Sequence, residues 1–161
     1  MKYESKTSRL IYILRKKNIK LCAAESITGG RFAFEIIKNE DASKIFNFSL
    51  VTYTNESKSK ILGLKKKINK TNVVSREMSK YMVSEVIKFS NPRETLAISC
   101  TGQAGPKILN TNYPVGTVFI GVAYKEKIFS FKKCFDLKDR KSIIESTVKE
   151  MIKICLNIVK N

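Results

Sequence analysis

Apolar residues follow two rhythms along this chain. Between residues 3 and 17, Leu10, Ile11, Ile13 and Leu14 recur among charges at the spacing of an amphipathic helix. The run "IKLCAA", residues 19–24, is short and apolar enough for a buried strand. Residues 28–38 return to a helical pattern, with Phe32, Phe34, Ile36 and Ile37 available for packing. "IFNFSLVTY", residues 45–53, predicts a second strand, and residues 55–63 a short helix stopped at Gly63.

A longer helix is predicted from Ser75, where Met78, Met82, Val83 and Val86 share one face and Asn91-Pro92 closes the segment. Ser75 is placed as an N-cap, although Glu77 lies too near for a reciprocal capping box. Strands follow at 95–100, 115–124 and 127–135. Only Lys125-Glu126 separates the last two, which predicts an antiparallel hairpin. Residues 138–160 form a final helix striped by Ile143, Ile144, Val148, Met151, Ile152 and Cys155. Helices alternating with strands, then a hairpin, then a helix, predict an α/β sandwich with a mixed sheet. No repeat or low-complexity linker divides the 161 residues, so one domain over 1–161 is expected.

Composition narrows the chemistry. With 43% hydrophobic residues the chain can fill a core. It holds no apolar run of about 18 residues, and its charged start lacks the apolar stretch of a signal peptide. A soluble cytoplasmic protein is the expectation, with no membrane partner. The formal charge of +17 raises nucleic acid as a partner. Lysines spread along the whole chain, and no RNA-binding aromatic signature accompanies them, so an anionic small molecule suits the field better. The four cysteines form no CxxC pair, and no metal site is expected. Histidine is absent, so any general base must be Lys, Asp, Glu, Tyr or a terminal amine.

Three predicted strand ends carry the polar residues. "AAESITGG", Ala23 to Gly30, runs from a strand into a helix. The amides of Thr28, Gly29 and Gly30 would face an anion at a helix start, and Ser26 would sit at the strand's carboxyl end. Ser26 or Thr28 could equally cap the helix. Glu25 could fix a lysine or accept loop amides. "VTYTNESK", Val51 to Lys58, ends a strand at Tyr53 and puts Lys58 on the first turns of a helix, against the helix dipole. Lys58 is a base for Ser26 if burial lowers its pKa, and a solvated lysine otherwise. "SCTGQAGP", Ser99 to Pro106, offers Thr101, Gly102 and Gly105 at a third strand end. Parallel strands would bring these ends together.

"LCAAESITGG", "VTYTNESKSKILGL", "VVSREMS", "TGQAGP" and "PVGTVFIGVA", in this order, resemble the C-terminal domain of the competence- and damage-inducible protein CinA. The resemblance runs from about residue 5 to 158 and implies a three-layer α/β/α sandwich. Its sheet would be mixed, mostly parallel and five-stranded, ending in an antiparallel hairpin. It implies a homo-oligomer, with a dimer favoured, and a cofactor-free amidohydrolase. That enzyme would convert nicotinamide mononucleotide to nicotinic acid mononucleotide and ammonia in pyridine-nucleotide salvage. Motif by motif, it places a nucleophile at Ser26, a tyrosine and lysine at Tyr53 and Lys58, and a hydroxyl at Thr101. Glu25, Thr28, Gly29, Gly30, Thr101, Gly102 and Gly105 are the expected substrate-binding residues.

Two positions depart from the family pattern. The run "KILNTNYPVG" after "AGP" has no glycine until Gly116 where the family commonly has more, and Ile27 stands where many relatives have cysteine. Lys107 in that run is either a phosphate contact or a solvated lysine. A catalytically degenerate module of the same fold is the first alternative, and a basic nucleic-acid-associated protein the second.

Overall fold

The computed structural model describes residues 5–108, 112–137 and 139–160. Five strands form one mixed sheet in the order β2-β1-β3-β4-β5. The strands are β1 (Lys20–Glu25), β2 (Phe46–Val51), β3 (Thr95–Gly102), β4 (Thr117–Tyr124) and β5 (Lys127–Cys134). β1 pairs in parallel with β2 and with β3, whereas β3–β4 and β4–β5 are antiparallel. Four of the five strands therefore run the same way, as expected. The β4–β5 turn is made by Lys125 and Glu126, both at positive φ (48° and 63°), a twist that suits a two-residue hairpin despite the absence of glycine.

Helices cover both faces, giving three layers. On one face lie α1 (Lys6–Lys16), α2 (Arg31–Ile37), the single-turn α3 (Ala42–Ile45) and α7 (Arg140–Lys160). They pack Leu10, Phe32, Ile36 and Met151 onto Leu21, Ala23, Ile98 and Ile120. On the other lie α4 (Asn55–Ile61), α5 (Lys65–Ile68) and α6 (Arg76–Val86), which bury Met78, Met82 and Val83 against Cys22, Ala24, Ala97 and Ala123. Alternate residues of β1 thus face opposite cores, which is why "LCAA" reads as one apolar run.

The predicted elements are all present, with shifted ends. Ser5 caps α1, whose predicted residues 3 and 4 lie outside the described residues. Residue 138, the predicted start of the last helix, also lies outside them. Ser75 caps α6 by accepting from the Met78 amide at 3.0 Å. α6 ends at Val86 and passes into a 3-10 turn at Ile87–Phe89, ahead of the predicted stop. α3 and α5 had no counterpart in the sequence pattern, because one helical turn has no periodicity to read.

Small residues bring α6 close to the sheet. The Ser99 hydroxyl donates to the Ser79 carbonyl at 2.7 Å, and a Cβ on Gly121 would lie 2.3 Å from that same oxygen. No side-chain rotation relieves a backbone clash. Gly121→Ala is therefore expected to destabilise the fold by about 1–3 kcal/mol, lowering the thermal midpoint by roughly 3–10 °C. A melt monitored by circular dichroism checks this, and an unchanged midpoint would refute the close approach.

Candidate active site

β1 delivers Glu25 and Ser26 to the carboxyl edge of the sheet, and the chain then turns through Gly29 and Gly30 (φ 56° and 94°) before α2 begins at Arg31. The helix starts three residues later than predicted because both glycines adopt left-handed backbone. Neither Ser26 nor Thr28 caps it. The fully buried Glu25 carboxylate does, accepting from the amides of Gly30, Phe32 and Ala33, each at 3.0 Å. Of the two roles open for Glu25, the structure selects amide acceptor.

The amides expected to face a substrate anion are mostly taken. The Gly29 amide donates to the Ser26 carbonyl at 3.2 Å, and that of Gly30 to Glu25. The Thr28 amide faces the Cys100 thiol. The Ile27 amide has no acceptor among the described residues, and Ile27 borders the cavity described below. The Ile27 side chain itself is buried in the core.

Lys58 arrives from the next strand end. Thr54 and Ser57 form a reciprocal capping box, with Ser57 N donating to Thr54 Oγ1 at 3.1 Å and Thr54 N to Ser57 Oγ at 3.0 Å. That box fixes the first turn of α4 and directs Lys58 inward, where only 2% of it is exposed. Its Nζ lies 2.9 Å from Ser26 Oγ, 2.8 Å from the Thr52 carbonyl and 3.2 Å from the Tyr53 carbonyl. Burial pulls its pKa from 10.5 down to about 8.

These contacts constrain the proton. Carbonyl oxygens only accept, so two N–H bonds of Lys58 point at Thr52 and Tyr53. In the neutral amine the third position is a lone pair facing the Ser26 hydroxyl, which then donates to it. This is the hydrogen-bonded arrangement of nucleophile and base.

A cavity of about 340 Å³ opens over the pair. Thr101, Gly102 and Gly105 line it, together with Lys107 and Arg140. The Thr101 hydroxyl itself donates to the Val73 carbonyl. Tyr53 also borders the cavity, but orients Lys58 through its carbonyl, while its ring hydroxyl accepts from Arg140 Nη2 at 2.6 Å. Thr28, Gly29 and Gly30 line a neighbouring hollow that shares Arg140, and Glu25 lines neither. Arg140 was missed in the sequence. It lies outside every motif, beyond the β4–β5 hairpin, and nothing in its local pattern sets it apart. Its Nη1 donates to the Gly105 carbonyl at 2.7 Å, which ties the start of α7 to the rim. Residues 109–111 of the divergent loop lie outside the described residues.

Residues 3–159 match the model of the CinA C-terminal domain. The chain belongs to the CinA C-terminal domain family. A relative in Thermoanaerobacter pseudethanolicus, whose name refers to competence and damage induction, is 38% identical over 140 residues, covering 86% of this chain and 33% of its own length. A CinA-like protein of Flavobacterium psychrophilum is 36% identical over 151 residues, covering 92% of this chain and 35% of its own. The chain thus spans about a third of the length of these curated relatives. A CinA superfamily protein from Escherichia coli shares the fold at a TM-score of 0.90 and 26% identity, over 96% of this chain and 89% of that one. Among the described residues, no helix is long and apolar enough to cross a membrane.

The CinA domain bears a cost for burying this amine. Below about pH 8 Lys58 is charged in both folded and unfolded chains, and the folded state carries the full desolvation cost. As pH rises from 8 towards 10.5 the unfolded chain binds the extra proton, so that cost is released. Lys58→Met should therefore be more stable than the parent at pH 7, with the gap narrowing by pH 10. Urea unfolding at both pH values measures it, and a gap independent of pH would refute the lowered pKa.

Proposed function

We propose that this CinA domain is a cytoplasmic serine–lysine amidohydrolase that converts nicotinamide mononucleotide to nicotinic acid mononucleotide and ammonia. The observation that carries the reaction class is the buried Lys58 amine, with two hydrogens fixed on main-chain carbonyls and its remaining position on Ser26 Oγ. The substrate is supported by the family resemblance, by the size of the cavity and by the positive Lys107 and Arg140 on its wall.

In this reading Ser26 Oγ attacks the carboxamide carbon while its proton passes to Lys58 Nζ. The tetrahedral oxyanion is held by the Ile27 amide, which replaces the Thr28, Gly29 and Gly30 amides expected from the sequence. An amide directly after the nucleophile is where strand–turn–helix hydrolases place such a donor, and one donor contributes about 10² to 10³ in rate. Collapse breaks the C–N bond, and Lys58 returns the proton to the leaving nitrogen as ammonia departs. Water then gives its proton to Lys58 and attacks the acyl-enzyme. The carboxylic acid product leaves as Ser26 regains its proton. Lys107 and Arg140 offer charge to the substrate phosphate.

Ammonia release from nicotinamide mononucleotide, with nicotinamide riboside and free nicotinamide alongside, tests the reading. Nicotinamide mononucleotide should be preferred, and Ser26→Ala and Lys58→Ala should each lower kcat by about 10³-fold or more. Because the base must be neutral, kcat/KM should rise with pH through a midpoint near 8. Near-normal turnover in either variant would remove that residue from the reaction.

A further inference from the structure

Glu25 has an unusual set of partners for a fully buried residue. Its carboxylate accepts from Thr28 Oγ1 at 2.6 Å, from Ser49 Oγ at 2.8 Å, and from the three α2 amides of Gly30, Phe32 and Ala33. No lysine or arginine among the described residues pairs with it. Donors drawn from the Ser26 turn, the start of α2 and β2 therefore converge on one buried acceptor. A carboxylate, which only accepts, fits an all-donor shell, whereas a glutamine would turn an N–H₂ group towards N–H and O–H donors.

The backbone of the same residue reaches the other half of the pair. The Glu25 carbonyl accepts from the Thr52 amide at 2.8 Å, and the Thr52 carbonyl in turn accepts from Lys58 Nζ. The Ser26 amide, one bond further, donates to the Cys100 carbonyl at 3.2 Å and locks the turn to β3. One residue thus holds the turn that presents the hydroxyl and the strand end that presents the amine's acceptor.

We infer that Glu25 is a positioning residue, whose buried carboxylate fixes the Ser26 turn against β2 so that Ser26 Oγ meets Lys58 Nζ at bonding distance. This replaces the substrate contact expected of Glu25, and it rests on the serine–lysine reading for what the pair does. Misplacement by an ångström costs a reaction about a hundredfold, so Glu25→Gln should lower reactivity far more than it loosens ligand binding.

The test is the rate at which an alkyl fluorophosphonate labels the intact chain. Ser26 Oγ attacks phosphorus, fluoride leaves, and the hydroxyl proton passes to Lys58. Labelling is followed by mass spectrometry and corrected for the folded fraction measured by circular dichroism. Folded Glu25→Gln should label about 10- to 100-fold more slowly, with the pH midpoint of the rate unchanged because the main-chain carbonyls that hold Lys58 stay in place and only Ser26 is displaced. Ser49→Ala and Thr28→Val each remove one donor, and should slow labelling severalfold in a folded protein; they decide the matter if Glu25→Gln does not fold. Wild-type labelling rates in the folded variants would overturn the inference while leaving the serine–lysine reading intact. Failure of the parent chain to label at Ser26 would remove that reading, and the inference with it.

Discussion

A primary amine removed from water must find partners for its hydrogens and a reason to give up its charge. Lys58 has both. Two main-chain carbonyls at the end of β2 take its hydrogens, and burial lowers its pKa to about 8. Ser26 is what remains within reach, at 2.9 Å. The rest of the architecture follows from holding these atoms still. Parallel pairing of β1 with β2 and β3 sets three strand ends side by side, and the capping box on α4 aims the lysine between them.

The surrounding polar groups are spent on shape more than on ligand. The α2 start, with its free amides, would be an anion site in many α/β proteins. Here the chain's own Glu25 fills it. The cations Lys107 and Arg140 stand instead on the wall of the cavity over Ser26 and Lys58. Arg140 also links the Tyr53 hydroxyl to the Gly105 carbonyl, so the rim is braced by the same side chain that supplies its charge.

Much of this was legible in the residue order. Apolar rhythm identified the strands and the longer helices, because burial on two faces or one leaves a period that survives in the sequence. The convergence of Ser26, Lys58 and Thr101 followed from placing hydroxyls and a lysine after parallel strands. Single-turn α3 and α5 were invisible for want of a period, and the start of α2 was misplaced because glycine signals a turn without giving its hand. The direction of side chains within loops was harder still. Nothing in "AAESITGG" distinguishes an amide turned to solvent from one turned to Glu25, and spacing does not reveal that Tyr53 contributes its carbonyl to Lys58 and its hydroxyl to Arg140. Arg140 is decided by how α7 returns to the sheet, a long-range matter.

The most direct measurement is the ionisation of Lys58 itself. In protein grown with lysine labelled by ¹³C at the ε position, one resonance should titrate with a midpoint near 8 and vanish in Lys58→Met. A Lys58 resonance that titrates at the value of a free lysine, about 10.4, would contradict a buried amine poised to accept the serine proton.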